Sequence, residues 1–155
     1  MEKYSVLMPL YIKDDPDWFV ESLESLLAQT VLADEIVIVC DGPLTDRLDE
    51  ILDDYSARYP GLFKVNRREI NIGLGKTLAE GVNLCRNELI ARMDADDYTV
   101  PDRCEKQLRL LANHPEIDVV GSNVEEFIGT KDNVVAHVIL PETPVRKLLY
   151  SSSSP

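Results

Sequence analysis

The chain has 155 residues, 45% of them apolar, which is enough for one domain with a real core. Its 28 acidic residues outweigh 16 basic ones, for a net charge of −12. That balance argues against a nucleic-acid-binding protein, which would carry a basic face, and is suited to keeping the chain soluble.

Tyr4 to Tyr11 reads as a short buried strand that Pro9 stops. Asp15 followed by Pro16 then looks like a helix start, the Asp as N-cap and the Pro at the first helical position. Phe19, Leu23, Leu26 and Leu27 follow at helical spacing. A second strand is expected over Glu35–Cys40, ended by the turn signal Asp41-Gly42-Pro43. Leu48, Ile51, Leu52 and Tyr55 mark a second helix, and Phe63–Asn66 a third strand. Gly73–Arg86 is expected to form a third helix opened by the Asn71–Lys76 turn. Leu89–Met93 reads as a fourth strand, and Pro101 opens a fourth helix with Cys104, Leu108 and Leu111 on one face. Asp118–Ser122 and Asn133–Leu140 are expected as later strands, and Ser151–Pro155 as a disordered tail.

Strands alternating with helices imply an α/β fold with a mainly parallel sheet, here over residues 1–150. In such sheets ligands bind beyond the carboxyl ends of the strands. Pro9-Leu10-Tyr11, Asp41-Gly42, Asn71-Ile72-Gly73 and Asp94-Ala95-Asp96-Asp97 all follow strands, so they should converge on one edge.

The acidic run is the most telling of these. Three carboxylates within four residues, at the end of an apolar strand, repel one another unless a positive charge intervenes. A solvated turn is the plain alternative. A hard cation, Mn²⁺ or Mg²⁺, gripping a diphosphate is the reading favoured by the strand-end setting. An EF-hand loop is excluded because Thr99 stands where its glycine belongs. A haloacid-type phosphatase motif is disfavoured by Tyr98.

Asp41 either shapes its own turn or accepts a hydrogen bond from a nucleobase N–H. Tyr11 is either a strand-end aromatic or a surface for base stacking. The glycines of Asn71-Ile72-Gly73-Leu74-Gly75-Lys76 let backbone approach a ligand at a helix start that favours anions. The segment is neither a Walker A loop (Ile70 replaces its first glycine) nor a GxGxxG turn (Leu78 replaces its third). Lys76 either neutralises a phosphate or merely solvates the helix. Arg92 and Arg103 read equally well as counter-ions of the acidic run.

Cys40, Cys85 and Cys104 lack CxxC spacing, so a reduced, cytoplasmic setting is expected, without disulfides or zinc. His114 and His137 read as structural or surface residues. The start of the chain does not resemble a signal peptide, and no apolar stretch suits a transmembrane helix.

Together these segments resemble the amino-terminal part of a family 2 glycosyltransferase with the Rossmann-like GT-A fold. The likeness covers about 1–145. Tyr4–Tyr11 resembles the family's SVIIPxYN-like opening strand, Ser25–Thr30 its SxLxQT helix end, and Glu35–Pro43 its EIIVVDDGS segment. Asn71–Gly75 resembles its NxGL turn, and Asp94–Arg103 its DxDD…PxR segment. The resemblance implies transfer of a sugar, with inversion, from a nucleotide-diphosphate-sugar donor, UDP-linked by preference. It also implies a glycan or lipid-linked acceptor and a role in polysaccharide or cell-surface glycan synthesis. By that likeness Asp41 faces the base, and Pro9, Leu10 and Tyr11 line the nucleoside pocket. Asn71, Gly73, Lys76 and Ala95 complete the donor site, Asp94 contacts ribose or sugar, and Asp96, with Asp94, holds the metal. The full-length protein would then act at the inner face of the membrane, and the sequence is compatible with an oligomer.

Three departures stand out. Ile12 replaces the family's Asn, Cys40 the first Asp of its pair, and Thr77-Leu78-Ala79 its Ala-Arg-Asn. The family's general base falls in a later part, so it is expected beyond Pro155 and none is named here. The competing readings are a nucleotide-sugar-binding module without chemistry and, less well matched, a nucleotidyltransferase, which would carry a Gly-rich loop where Leu10–Lys13 stand.

Overall fold

The computed structural model describes residues 2–129 and 132–139. Its first compact unit ends at Glu105 and a second begins at Lys106. The first unit is built from β1 (Tyr4–Leu10), α1 (Pro16–Leu27), β2 (Glu35–Cys40), α2 (Asp46–Arg58), β3 (Phe63–Arg67), α3 (Leu74–Leu84) and β4 (Leu89–Arg92). Helix α4 (Arg103–Asn113) runs across the boundary, and β5 (Val124–Phe127) with β6 (Val134–Val138) lies in the second unit.

The four strands β1–β4 form one sheet in the order β3-β2-β1-β4, and every neighbouring pair is parallel. Strand β2 is buried along its whole length, as its apolar Ile36–Cys40 run requires of a strand covered on both faces. The chain steps outward from β1 to β2 to β3 and then returns past both to β4. The direction of winding therefore reverses between β1 and β4, and the carboxyl ends there flank the crevice where ligands bind in open α/β sheets.

The helices begin where local chemistry starts them. Asp15 caps α1 by accepting from Asp17 N (2.9 Å) and Trp18 N (3.3 Å), ahead of Pro16 in the first turn. Thr45 caps α2 through Leu48 N (3.3 Å). Helix α3 starts one residue after Gly73, whose φ of +89° lies outside the helical region. It ends before Cys85, which is extended. Gly81 lets α3 lie close on the sheet. A Cβ there would fall 2.3 Å from Leu7 Cδ1, a contact no methyl tolerates. Leu7, Val37 and Val39 form the core beneath it, flanked by Leu78, Leu84, Cys85 and Ile90.

Two strand expectations need correction. Pro9 does not stop β1, which continues to Leu10. Leu7 carbonyl accepts from Met93 N, so by alternation Pro9 faces the same side, beyond the last residue of β4. Its missing N–H therefore removes no ladder bond. In the second unit the strand lies at Val124–Phe127 rather than Asp118–Ser122. It forms where β6 supplies an antiparallel partner, with Val124 opposite Val138 and Glu126 opposite Ala136. β6 falls within the expected Asn133–Leu140 span, although Leu140 and the Ser151–Pro155 tail lie outside the described residues. No helix among the described residues is long and apolar enough to cross a membrane.

Candidate functional site

A cleft of about 460 Å³ opens at the carboxyl ends of β1, β2 and β4. Pro9, Leu10, Tyr11, Asp41, Asn71, Gly73, Asp94, Ala95 and Asp96 all line it, so the separate strand-end motifs do meet in one place. Lys76 stands outside this wall, exposed on the first turn of α3. Three wall residues were not singled out from the sequence: Asp14, Leu74 and Thr77.

Asp41 is buried, and both of its carboxylate oxygens are in use. Oδ1 accepts from Ile72 N (2.8 Å) and Oδ2 from Gly73 N (3.0 Å). Asn71 Nδ2 donates to the Asp41 carbonyl (3.3 Å). The end of β2 thus pins the turn that starts α3. A carboxylate offers about four lone-pair sites, so each oxygen keeps one for a further donor. Gly42 makes the approach feasible. Its φ is +96°, and a Cβ there would stand 3.0 Å from Asn71 N. No side chain caps α3, so its first free N–H groups remain available for an anion beside the cleft.

Across the crevice, Asp14 folds back on the end of β1. Its Oδ2 accepts from Tyr11 N (2.7 Å), while Asp14 N donates to Tyr11 carbonyl (3.0 Å). The reciprocal pair closes a small ring that holds Tyr11 at the cleft rim. Burial pushes the Asp14 carboxyl above the usual aspartate range, and the charges of Asp96 and Asp94 push it the same way against the Tyr11 N–H. Asp97 is raised for related reasons, burial first and then Asp94 and Asp96, with Arg103 and Arg92 opposing.

Asp94 is gripped by Arg92, whose guanidinium lies 2.8 Å from both carboxylate oxygens. Arg103 donates to Arg92 carbonyl (3.0 Å). The counter-ion reading of Arg92 is therefore realised in the geometry, while Asp96 projects at the exposed end of the cluster. Thr77 is fully buried and donates to Gly73 carbonyl (3.0 Å), bracing the turn. Its signal in the sequence was its position one helical turn past Gly73. Asp14 was hidden because it reads as part of the helix start.

The donor set suits a hard cation, since the cleft wall offers carboxylate oxygens from Asp14, Asp41, Asp94 and Asp96 and carries neither thiol nor imidazole. Among the described residues no three carboxylate, His or Cys side chains close on a single point that would cage an ion. A cation here would complete its coordination from water or from a bound diphosphate, as Mg²⁺-like ions commonly do.

The α/β fold is that of the GT-A glycosyltransferases, and the chain belongs to glycosyl transferase family 2, whose model matches residues 5–152. An uncharacterized glycosyltransferase of Haemophilus influenzae is 42% identical over 139 residues, 90% of this chain and 51% of that protein. The Escherichia coli UDP-Gal:alpha-D-GlcNAc-diphosphoundecaprenol beta-1,3-galactosyltransferase is 38% identical over 125 residues, 81% of this chain and 45% of that protein. Among solved structures, S. aureus TarS 1-349 in complex with UDP matches with a TM-score of 0.63 at 26% identity, over 74% of this chain and 33% of that one. GalNAc-T7 with UDP, GalNAc and Mn²⁺ matches with a TM-score of 0.52 at 26% identity, over 60% of this chain and 17% of that one. The chain spans about half the length of the curated relatives it matches.

Proposed function

We propose that this chain carries the donor half of a sugar-transfer site, which holds a UDP-sugar through a divalent cation, Mn²⁺ or Mg²⁺. The observation that carries the reading is the convergence, in one cleft, of a buried Asp41, an uncapped helix start and the Asp94–Asp96 carboxylates. The UDP of the TarS complex and the UDP and Mn²⁺ of the GalNAc-T7 complex lend it support.

In this reading Pro9, Leu10 and Tyr11 line the nucleoside side, with the Tyr11 ring offering a face to the base. Asp41 uses a spare lone pair for a base N–H while its other bonds keep the 71–73 turn in place. Asn71 and Gly73 shape the backbone of that turn, and Ala95 keeps the wall low between the two carboxylates. The α3 N-terminus faces diphosphate charge. Lys76 adds to it only by swinging in from its exposed position. Asp96 is the main cation ligand, and Asp94, already oriented by Arg92, faces the ribose or sugar and backs the cation.

A cation bound there supplies charge that stabilises the departing diphosphate. Transfer with inversion needs a carboxylate base on the acceptor hydroxyl, and no residue of this chain is assigned that role. The acceptor is a glycan or a lipid-linked glycan, the second in keeping with the diphosphoundecaprenol substrate in the E. coli relative's name. A cytoplasmic protein at the inner membrane face, making cell-surface polysaccharide, is the setting that goes with such an acceptor. Titration of the folded chain with UDP, with and without Mn²⁺, tests the reading by calorimetry. Binding strengthened by Mn²⁺ is expected; a folded sample that binds UDP under neither condition overturns it.

A further inference from the structure

The acidic loop has almost no regular structure of its own. Between the end of β4 at Arg92 and the start of α4 at Arg103, two backbone turn bonds are found, from Asp97 N to Asp94 carbonyl (3.3 Å) and from Arg103 N to Val100 carbonyl (3.1 Å). Irregular backbone that carries like charges needs partners from elsewhere. Helix α1 and the residues just after it supply them.

Ser22 Oγ donates to Asp94 carbonyl (3.2 Å). Ser25 Oγ accepts from Thr99 N (3.2 Å) while donating to Ser22 carbonyl (2.8 Å). Gln29 serves both ends of its amide: Nε2 donates to Val100 carbonyl (2.7 Å) and Oε1 accepts from Cys104 N (3.1 Å). Thr30 continues the series, its N–H reaching Pro101 carbonyl (2.8 Å) and its hydroxyl Glu105 (2.7 Å). Ser22, Ser25 and Gln29 are buried polar side chains in an otherwise apolar stripe with Phe19, Leu23 and Leu26. Buried polar groups are costly unless bonded, and here each of the three has a bond to the 94–104 segment.

We propose that Ser22, Ser25 and Gln29 are positioning residues of the donor site, a clamp on Asp94, Thr99, Val100 and Cys104 that holds the 94–104 segment, and with it the Asp94–Asp97 carboxylates, in the shape their cation and diphosphate require. The inference rests on the donor reading above for its ligand, but the clamp itself is a statement about the loop. None of the three lines the cleft, so each acts through the backbone it holds.

The test uses the 155-residue chain with Ser22→Ala, Ser25→Ala and Gln29→Glu, and Ile51→Val on α2 as a destabilised control away from the loop. The ratio of UDP dissociation constants without and with Mn²⁺ isolates the acidic loop from the nucleoside pocket. That ratio is expected to fall about fivefold to tenfold in the clamp variants, the size of one lost hydrogen bond, while metal-free UDP binding stays within about twofold. The control should keep the wild-type ratio. Folded clamp variants with an unchanged ratio, or a control that loses it equally, overturn the proposal.

Amide hydrogen exchange supplies the second arm. Residues 94–104 should exchange faster in the variants while β1 and β2 stay protected. Unchanged exchange in 94–104 overturns the clamp. Should the wild-type chain bind no UDP at all, the donor reading falls and the exchange arm alone decides whether the clamp exists.

Discussion

The two edges of the parallel sheet both gather carboxylates, and they treat them differently. At the amino edge Asp34 and Glu35 are fully answered from within the chain. Asp34 meets Lys3 (3.1 Å) and Arg86 (2.7 Å), and these partners, Lys3 foremost, hold its carboxyl below the ordinary range. Glu35, buried, accepts from Ser5 Oγ (2.7 Å) and Arg86 N (2.6 Å). At the carboxyl edge Arg92 pairs with Asp94 and, with Arg103, acts on Asp97, while Asp14 and Asp97 are still pushed toward protonation by burial and by Asp94 and Asp96. A set of charges closed by its own chain is architecture. A set left in excess at a topological switch point, beside a cleft, has the electrostatics of a binding site.

That contrast can be broken by mutation. The largest effect is expected from Glu35→Ala, which orphans the Arg86 N–H and removes the acceptor of Ser5 at the buried amino edge. Denaturant unfolding should show a loss of about 3 kcal/mol, with the Mn²⁺ dependence of UDP binding intact in the folded fraction. Next comes Gly42→Ala at the carboxyl edge. A φ of +96° and the 3.0 Å approach to Asn71 N predict a loss of about 2 kcal/mol together with weaker UDP binding, read by melting and calorimetry on the same sample. An unchanged melting temperature would mean the turn has room that the geometry denies.

Asp96→Ala should leave stability unaltered or slightly raised and remove at least about tenfold, or 1.4 kcal/mol, of the Mn²⁺-assisted UDP affinity. Loss of stability instead would move Asp96 to the architectural side of the comparison. The smallest effect belongs to Asp14→Asn. Its native carboxyl titrates above the unfolded value, so the folded state binds more protons in that window. The contribution of Asp14 to stability is therefore fully present below the ordinary aspartate pKa of about 3.9 and is lost as pH rises through the raised native value. The amide keeps an acceptor for Tyr11 N and removes the charge. Unfolding curves across acid to neutral pH should show the variant gaining on the wild type as pH rises, by less than about 1 kcal/mol at pH 7.

Much of the first unit was legible because its signals are local. Asp15-Pro16 starts α1 where capping chemistry places it, and the apolar Ile36–Cys40 run becomes buried in β2. The second unit is less legible. Asp118–Ser122 has composition suited to a strand, but a strand needs a partner, and the partner pairs with Val124–Phe127. Pro9 misled for a similar reason, since its cost depends on whether a neighbour faces its missing N–H.

The sequence by itself determined the alternation of elements, the strand-end position of each polar motif and the family to which the chain belongs. Periodicity, capping and motif spacing are properties of neighbours along the chain. Only the tertiary structure decided that Asp14 joins the cleft and Lys76 stands outside its wall. It also decided that Asp41 pins the 71–73 turn and that Ser22, Ser25 and Gln29 grip the 94–104 segment. Those bonds join residues 31 to 75 positions apart, and no local pattern encodes a partner at that distance. The sheet order brings them together by placing β4 beside β1.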